Sequence, residues 1–161
     1  MKRILIAVFA LAALGPMDLH AQATAEDSVR AVVVRLFDGM RTRDTAAVRS
    51  VFLPDARLQT AMVRQDGTPV LRADSVGTVV QGVAGAGDVL LDEQLDAVHV
   101  RIDGPLAVVT ADYTFFAGQR LSHCGIDAFQ LFRGPEGWKI FQLTDTRRRT
   151  GCRAEIGSSP P

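Results

Sequence analysis

Several residue patterns that carry common chemistries are absent from this sequence. The three histidines and two cysteines show neither the H-x-x-x-H nor the C-x-x-C spacing of a metal site, so no metal is expected. There is no serine in a nucleophile elbow and no glycine-rich phosphate loop, and we predict no cofactor. The formal net charge is zero, with 18 basic and 18 acidic residues, so the chain lacks the excess positive charge typical of nucleic-acid binding.

The composition is typical of one globular domain. The chain has 161 residues, of which 47% are hydrophobic and 22% are charged, which is enough for a single core and too little for two comfortable domains. A short basic run, Arg147-Arg148-Arg149, is interpreted as a solvated strand end rather than as a phosphate-binding patch.

The N-terminus has the features of a secretory signal peptide. Lys2 and Arg3 precede an apolar stretch, Ile4–Gly15, that is too short to span a bilayer as a lasting anchor. The small-x-small triplet Ala21-Gln22-Ala23 predicts cleavage before Thr24, with an uncleaved anchor as the alternative. We therefore predict a signal peptide over residues 1–23, a domain over 24–152, a disordered tail over 153–161, and a periplasmic or secreted protein without membrane contact after cleavage.

The two cysteines, Cys124 and Cys152, are predicted to form a disulfide bond. An oxidising compartment favours a disulfide over a metal pair or a nucleophile. Cys124 lies early in one predicted strand and Cys152 just beyond the end of its hairpin partner, so the fold can bring them within bridging distance. The alternative is a free, buried Cys124 that packs as a small hydrophobic residue.

Helices are predicted in the N-terminal half. Residues Ala25–Arg43 repeat apolar side chains at spacings of three and four, which indicates an amphipathic helix. A second, shorter helix begins at Thr45, with Asp44 as its N-cap. The third is predicted from Asp74 or Ser75 through Val83.

Strands dominate the rest of the chain. The stretches predicted as strands are Ala56–Val63, Leu95–Ile102 and Leu106–Ala117, followed by a hairpin over 121–148 that turns at Gly134-Pro135-Glu136-Gly137. Helices followed by antiparallel strands indicate an α+β fold.

Three stretches resemble the nuclear transport factor 2-like superfamily, which includes SnoaL-like polyketide cyclases, ketosteroid isomerases and many uncharacterised exported proteins. They are the helix–helix corner Leu36–Val48, the F-x-x-D-A sequence of Phe52–Leu58, and Gly137-Trp138-Lys139-Ile140. The resemblance implies a cone-like, curved antiparallel sheet with about three N-terminal helices that enclose a pocket. It also implies that a homodimer can form through the outer sheet face. It does not choose a function, because this superfamily hosts isomerases, dehydratases, cyclases and binding modules on one scaffold.

Four polar residues of the hairpin are candidates for a site. Side chains alternate along a strand, so His123 and Asp127 share a face. The register set by a four-residue turn puts Asp145 on the opposite face from His123, whereas a one-residue shift gathers both with Asp127 and Arg147. If they are gathered, His123 can exchange protons near neutral pH, and Asp127 or Asp145 either orients it or acts as the base. Arg147 then holds an anionic ligand oxygen. The alternative is a salt-bridged rim.

Three aromatic residues complete the predicted binding set. Tyr113 lies on the long central strand and can donate its hydroxyl to a carbonyl, or else pack in the core with that hydroxyl satisfied. Phe115 and Phe129 fall on the same faces as Tyr113 and Asp127, respectively. Two functions follow. The first is a binding module for a small hydrophobic or aromatic molecule, and the second is a cofactor-free lyase or isomerase with a His–Asp acid–base pair.

Overall fold

A computed structural model of the protein describes the backbone of residues 17–153 and the side chains of residues 24–153. The predicted signal peptide therefore lies outside the residues whose side chains are described, and so does the predicted tail beyond Arg153. The helices within the described range are α1 (Met17–Thr42), α2 (Thr45–Ser50) and α3 (Val76–Ala84). The strands are β1 (Phe52–Val63), β2 (Pro69–Asp74), β3 (Leu91–Asp103), β4 (Leu106–Ala117), β5 (Arg120–Gly134) and β6 (Gly137–Thr146).

The three helices confirm the predicted ones and are capped by side chains. Asp44 accepts a hydrogen bond from the Ala47 backbone N–H at 2.9 Å, and Ser75 accepts one from Thr78 N–H at 3.1 Å. Helix α1 begins earlier than predicted, because Met17–Ala23 contains no glycine or proline to stop it. None of the helices in residues 17–153 is both long and apolar enough to cross a bilayer.

The strands form one curved, unclosed sheet with the order β2-β1-β6-β5-β4-β3. Neighbouring strands are antiparallel except β1 and β6, which run parallel. The sheet is therefore mixed, whereas a wholly antiparallel sheet was expected. Strand β2 was not predicted. It is an edge strand with mostly exposed side chains and a proline at its first position, so it lacks the apolar alternation by which strands are recognised in a sequence.

The core lies between α1, α3 and the concave face of the sheet. Val29, Val33, Leu36 and Phe37 of α1 are buried against it, as their spacing predicts. The Phe37 ring meets that of Phe129 edge-on, with centroids 6.2 Å apart. The predicted α+β fold is therefore confirmed in its essential feature, which is a helical layer that covers one face of the sheet.

Strand β3 forms the other edge of the sheet and carries a bulge. The pairing with β4 shifts between Asp96 and His99, and Ala97 adopts φ 47°. The Arg30 side chain of α1 donates to the Val98 backbone carbonyl at 3.3 Å. The bulge and this contact tie the middle of β3 to the helical layer.

Candidate functional site

A cavity of about 110 Å³ lies between the helices and the concave face of the sheet. Its wall is apolar in part and polar in part. The apolar wall includes Leu36, Phe37 and Met40 of α1, Phe52 and Leu58 of β1, Val79 of α3 and Leu143 of β6. The polar wall includes Gln59, Thr60, Asp74, Glu93, His123, Asp127, Asp145 and Arg147.

Strand register brings the polar wall together. Asp127 of β5 lies directly opposite Asp145 of β6, and Asp145 in turn pairs with Thr60 of β1. Glu93 reaches the same cavity from β3. Directly opposed residues place their side chains on the same face of a sheet, so these carboxyl groups converge although they are distant in the sequence.

The hairpin has neither of the two predicted registers from end to end. Arg133 pairs with Trp138 beside the turn, as a four-residue loop requires. A bulge at Phe141 then shifts the pairing by one residue, which sets Asp127 opposite Asp145. The polar groups are therefore gathered by a bulge within the hairpin rather than by a different turn.

Asp145 is held by two donors, and a tyrosine hydroxyl lies beside it. Thr60 Oγ1 donates to Asp145 Oδ1 at 2.6 Å, and Arg147 Nε donates to Oδ2 at 2.6 Å. The Tyr113 hydroxyl lies 3.3 Å from the same Oδ2 and donates to the Thr146 backbone carbonyl at 2.8 Å. Asp145 is therefore a fixed, charge-paired acceptor.

The groups around Asp145 keep their ordinary protonation states at neutral pH. Burial raises the pKa of Tyr113, and the charge of Asp145 raises it further. Burial alone would lower the pKa of Arg147, but the hydrogen bond and charge of Asp145 outweigh it and the net change is upward. The tyrosine thus remains a neutral donor and the arginine remains a cation.

Glu93 and Asp127 form a buried carboxyl pair. Asp127 is only 2% exposed, and no donor among the described residues reaches its Oδ2 atom. The carboxyl group of Glu93 lies beside it and is buried, although part of the Glu93 residue is exposed. Two buried carboxylates this close repel each other, which favours the form of the pair that keeps a proton.

Burial is the main cause of the altered acidity of this pair. It raises the pKa of Asp127 to about 7, against the hydrogen bond from Glu93, while the nearby charge of Asp145 adds to the rise. The pKa of Glu93 is raised well above its usual range, first by burial and then by Asp127. The two carboxyl groups are therefore coupled, and their titration belongs to the pair rather than to either residue.

His123 forms the part of the wall next to Arg147. Its Nδ1 atom lies 2.9 Å from Ser122 Oγ, and its ring packs against Phe115 with centroids 5.1 Å apart. Burial and the positive charge of Arg147 lower the pKa of His123, although Asp145 opposes them. The imidazole is therefore neutral at pH 7.

The predicted site residues fall into three groups. His123, Asp127, Asp145 and Arg147 line the cavity together. Tyr113 and Phe115 lie behind it, where they contact Asp145 and His123 respectively, and the fully buried Phe129 packs in the core. Cys124 and Cys152 form a disulfide bond with their Cα atoms 5.5 Å apart, which confirms the predicted pairing.

Comparison with known proteins identifies the family. Residues 24–143 match the family described as "Putative lumazine-binding". The chain belongs to this family. Its fold is that of the nuclear transport factor 2-like superfamily, as the sequence motifs implied. No curated protein matches the chain.

Solved structures show the same fold at low sequence identity. A protein of unknown function from Mycobacterium tuberculosis is similar with TM-score 0.66 and 16% identity, covering 86% of this chain and 79% of that one. An NTF2-like protein with a cystatin-like fold from Novosphingobium aromaticivorans is similar with TM-score 0.65 and 13% identity, covering 88% of this chain and 94% of that one. A putative dehydratase of the NTF2-like family from Streptomyces avermitilis is similar with TM-score 0.60 and 19% identity, covering 80% of this chain and 99% of that one. At these identities the similarity shows the fold alone.

Glu93 and Thr60 were not among the predicted site residues. Glu93 precedes the predicted start of its strand at Leu95, but Leu91, Glu93 and Leu95 alternate on one face, and both leucines pack against the core. A strand extended by four residues would have placed an acidic side chain at an apolar position, which is a recognisable signal. Among the described residues of this family member, no group of three or more His, Cys, Asp or Glu side chains is arranged to hold a metal ion.

Proposed function

We propose that this protein is an exported binding protein for a small organic molecule, which it holds in the cavity between the helices and the sheet. The observation that carries the proposal is the mixed lining, in which apolar side chains of α1, α3 and β1 accompany converging hydrogen-bonding groups of the sheet. Sites for small molecules commonly combine an apolar surface with a few converging polar groups. The family description, which refers to lumazine, also supports a ring-shaped ligand.

The size of the cavity limits the ligand. At about 110 Å³ it is smaller than the roughly 150 Å³ cavity that accommodates benzene in another protein. A single aromatic ring therefore requires the lining to move outward slightly, whereas a smaller aliphatic molecule requires less rearrangement. A bicyclic molecule such as lumazine requires side chains to move, and Arg147 is suited to this because its side chain is 40% exposed and lies at the mouth of the cavity.

Phenol is a suitable probe, because it has one ring and one hydroxyl group. We expect it to raise the melting temperature and to shift NMR signals from the cavity lining. Val79→Phe places a ring at the cavity wall and should abolish the effect, whereas Val34→Phe adds the same ring at a 53% exposed position of α1 and should leave it intact. Absence of any response of the wild-type protein to phenol would contradict the proposal.

A second candidate is a cofactor-free lyase or isomerase. The observation that favours it is the buried Asp127 on the cavity wall, whose pKa of about 7 lies near the pH at which a general base is most effective. Asp127 would then act as the base, and neutral His123 would polarise a ketone oxygen. Asp145 is less suited as a base because Thr60 and Arg147 already occupy its oxygens.

Hydrogen–deuterium exchange into small enolisable ketones tests this candidate directly. The wild-type protein should catalyse the exchange, and Asp127→Asn should remove it. His123→Gln should lower the rate less, since it removes only the polarising group. Exchange at the buffer rate with the wild-type protein would exclude this candidate.

Export is a further part of the proposal. The basic residues, apolar stretch and Ala-x-Ala site at the N-terminus support cleavage before Thr24 and a periplasmic or secreted location. Export also supplies the oxidising conditions under which the Cys124–Cys152 disulfide persists. The intact mass of the protein purified from the periplasm or medium should correspond to residues 24–161 with one disulfide. A full-length mass would contradict export with cleavage.

A homodimer is also proposed, through the outer face of the sheet. Leu106 and Phe132 are directly opposed there and are 42% and 45% exposed. Val108 and Ile126 extend the same exposed apolar patch along β4 and β5. A large exposed apolar patch commonly marks an interaction surface.

A further inference from the structure

We propose that the ligand is a small planar cation of the amidine or guanidine class, and that it binds the Glu93–Asp127 pair and displaces a proton from it. The inference rests on the proposed binding function and adds the chemical class of the ligand. It also predicts that binding is coupled to pH. Neither property follows from the fold or from the family description.

The first argument is an unsatisfied acceptor. Asp127 is 98% buried, and its Oδ2 atom has no donor among the residues that the structure describes. The side chain lies on the cavity wall, so a ligand in the cavity can reach it. A buried acceptor without a partner lowers stability, and a ligand that brings an N–H group removes this cost.

The second argument is the balance of charge. Asp145 is neutralised by Arg147 at 2.6 Å, and Asp74, at another part of the wall, is paired with Arg72 at 2.8 Å. Tyr113 and His123 are neutral, and the residues that α1 and α3 contribute to the cavity lining are apolar. The Glu93–Asp127 pair with one proton therefore carries one negative charge that no side chain in the described wall balances.

The third argument is shape. An amidinium group presents two parallel N–H donors in one plane, and this fork matches two neighbouring carboxyl oxygens. Charge-assisted hydrogen bonds of this kind are about twice as strong as neutral ones. The cavity of about 110 Å³ accepts a head group of this size, and the apolar side chains that share its lining favour a hydrocarbon substituent.

The direction of the pH effect follows from charge. A cation beside the pair stabilises its ionised form, so binding releases a proton. By reciprocity, raising the pH must strengthen binding, and release of one full proton corresponds to about a tenfold change in affinity per pH unit. An amidinium ion stays protonated throughout this range, so its own charge does not contribute to the change.

Acetamidinium and its neutral isostere acetamide are the matched probes. Their dissociation constants should be measured by NMR titration at pH 6 and pH 8. We expect acetamidinium to bind at least tenfold more tightly than acetamide at pH 8, and to weaken about tenfold or more at pH 6. Acetamide should bind equally at both. Equal affinity of the two probes at pH 8, or binding of the cation that does not change with pH, would overturn the inference.

Two variants locate the effect. Asp127→Asn should remove both the preference for the cation and its pH dependence, while binding of phenol by the same variant shows that the cavity is intact. The control is Asp112→Asn, at an exposed carboxylate of β4 on the opposite face from Tyr113, and it should behave as the wild type. A cation preference that persists in Asp127→Asn would overturn the assignment to this pair.

If the wild-type protein binds none of the three probes, the proposed binding function fails together with the inference. If phenol binds without a cation preference, only the inference fails.

Discussion

Asp127 is a deeply buried acidic residue, and its Oδ2 atom receives no hydrogen bond from the described residues. Most buried carboxylates in proteins are paired with a cation or receive several N–H donors. Here the Arg147 guanidinium binds Asp145 instead, and Asp127 has Glu93 as its acidic neighbour. The protein thus contains two kinds of carboxyl group within one small cavity, a fixed anion and a pair that holds a proton.

A first prediction concerns the pH dependence of stability. The pKa of Asp127 rises to about 7 in the folded protein, from an ordinary value near 4 in the unfolded chain. The folded state therefore binds more protons than the unfolded state between these values, so this contribution to stability is present at low pH and is lost as the pH rises through 7. Between pH 6 and pH 8 the free energy of unfolding should fall by about 1 kcal/mol from this group.

Chemical denaturation at pH 6, 7 and 8 measures this change. Asp127→Asn cannot titrate and should show a flatter profile, and the exposed Asp112→Asn should follow the wild type. A wild-type stability that rises between pH 6 and pH 8 would contradict the prediction.

At the scale of single residues, the sequence identified part of the site. It indicated His123, Asp127, Asp145 and Arg147, because polar residues near the outer end of an apolar hairpin are conspicuous. It did not indicate Glu93, which lies on the edge strand β3. Glu93 reaches the cavity only in the assembled sheet, where β4 and β5 lie between β3 and β6. Nor could it reveal that one proton is held by two carboxyl groups, since that depends on their three-dimensional proximity.

At the scale of elements, the end of β6 is tied closely to β5. The Thr146 carbonyl oxygen accepts from Tyr113, and its Oγ1 atom accepts from the Ile126 backbone N–H at 3.0 Å. A Cβ atom added to Gly125 would lie 1.8 Å from that carbonyl oxygen. Only glycine allows the two strands to approach so closely beside the site.

Gly125→Ala should therefore destabilise the protein by about 1–3 kcal/mol, because the backbone of β6 must move. The same movement should displace Asp145 and Arg147. Gly82→Ala is the control, because an added Cβ there meets nothing within 4 Å and alanine favours helix α3 by roughly 0.5–1 kcal/mol. Urea denaturation measures both. Equal stability of Gly125→Ala and the wild type would contradict this account of the close approach.

The disulfide holds the chain just after β6. Cys124 and Arg148 exchange two backbone hydrogen bonds of 2.9 Å. Cys152, four residues after Arg148, is linked to Cys124 by the disulfide bond. The loop closed by the bond has a sequence separation of 28 residues, for which chain entropy predicts a stabilisation of about 3–4 kcal/mol.

Cys152→Ser should therefore lower the free energy of unfolding by about 3–4 kcal/mol, and reduction of the wild-type protein should have a similar effect. The variant itself should be insensitive to reductant. Equal denaturation midpoints for the oxidised and reduced wild-type protein would contradict a stabilising role.

Elements were predicted well where the apolar pattern was strong. The span Leu106–Ala117 was predicted with the bounds that the structure shows, because its apolar length is unmistakable. Strand β2 and the bulge at Phe141 were not predicted. The first has an exposed pattern, and the second inserts one residue into a continuous strand without any glycine or proline to mark it.

At the scale of the whole molecule, three degenerate motifs in a fixed order were sufficient to identify the superfamily. The parallel pairing of β1 with β6 was beyond reach, because it joins segments about 85 residues apart, as the Thr60–Asp145 contact illustrates. Long-range register of this kind depends on packing of the complete sheet rather than on local sequence.

The proposed dimer gives a prediction at this scale. Phe132→Glu introduces a charge at a 45% exposed position of the outer apolar patch and should convert a dimer to a monomer. Val34→Glu makes the same change at an exposed position of α1 and should leave the dimer intact. Light scattering after size-exclusion chromatography measures the mass. A monomeric wild-type protein at high concentration would contradict the dimer.

The bulged edge strand β3 has a consequence for the behaviour of the protein at high concentration. A long, flat edge strand exposes unpaired backbone groups that can recruit another chain and nucleate fibrils. In β3 the left-handed Ala97 breaks the regular spacing of these groups, and Arg30 already occupies the Val98 carbonyl. Asp96, Arg101 and Asp103 add charge along the same strand. A chain that lands on this edge therefore meets an interrupted, partly occupied and charged surface, which protects the protein against growth of its sheet from one molecule to the next.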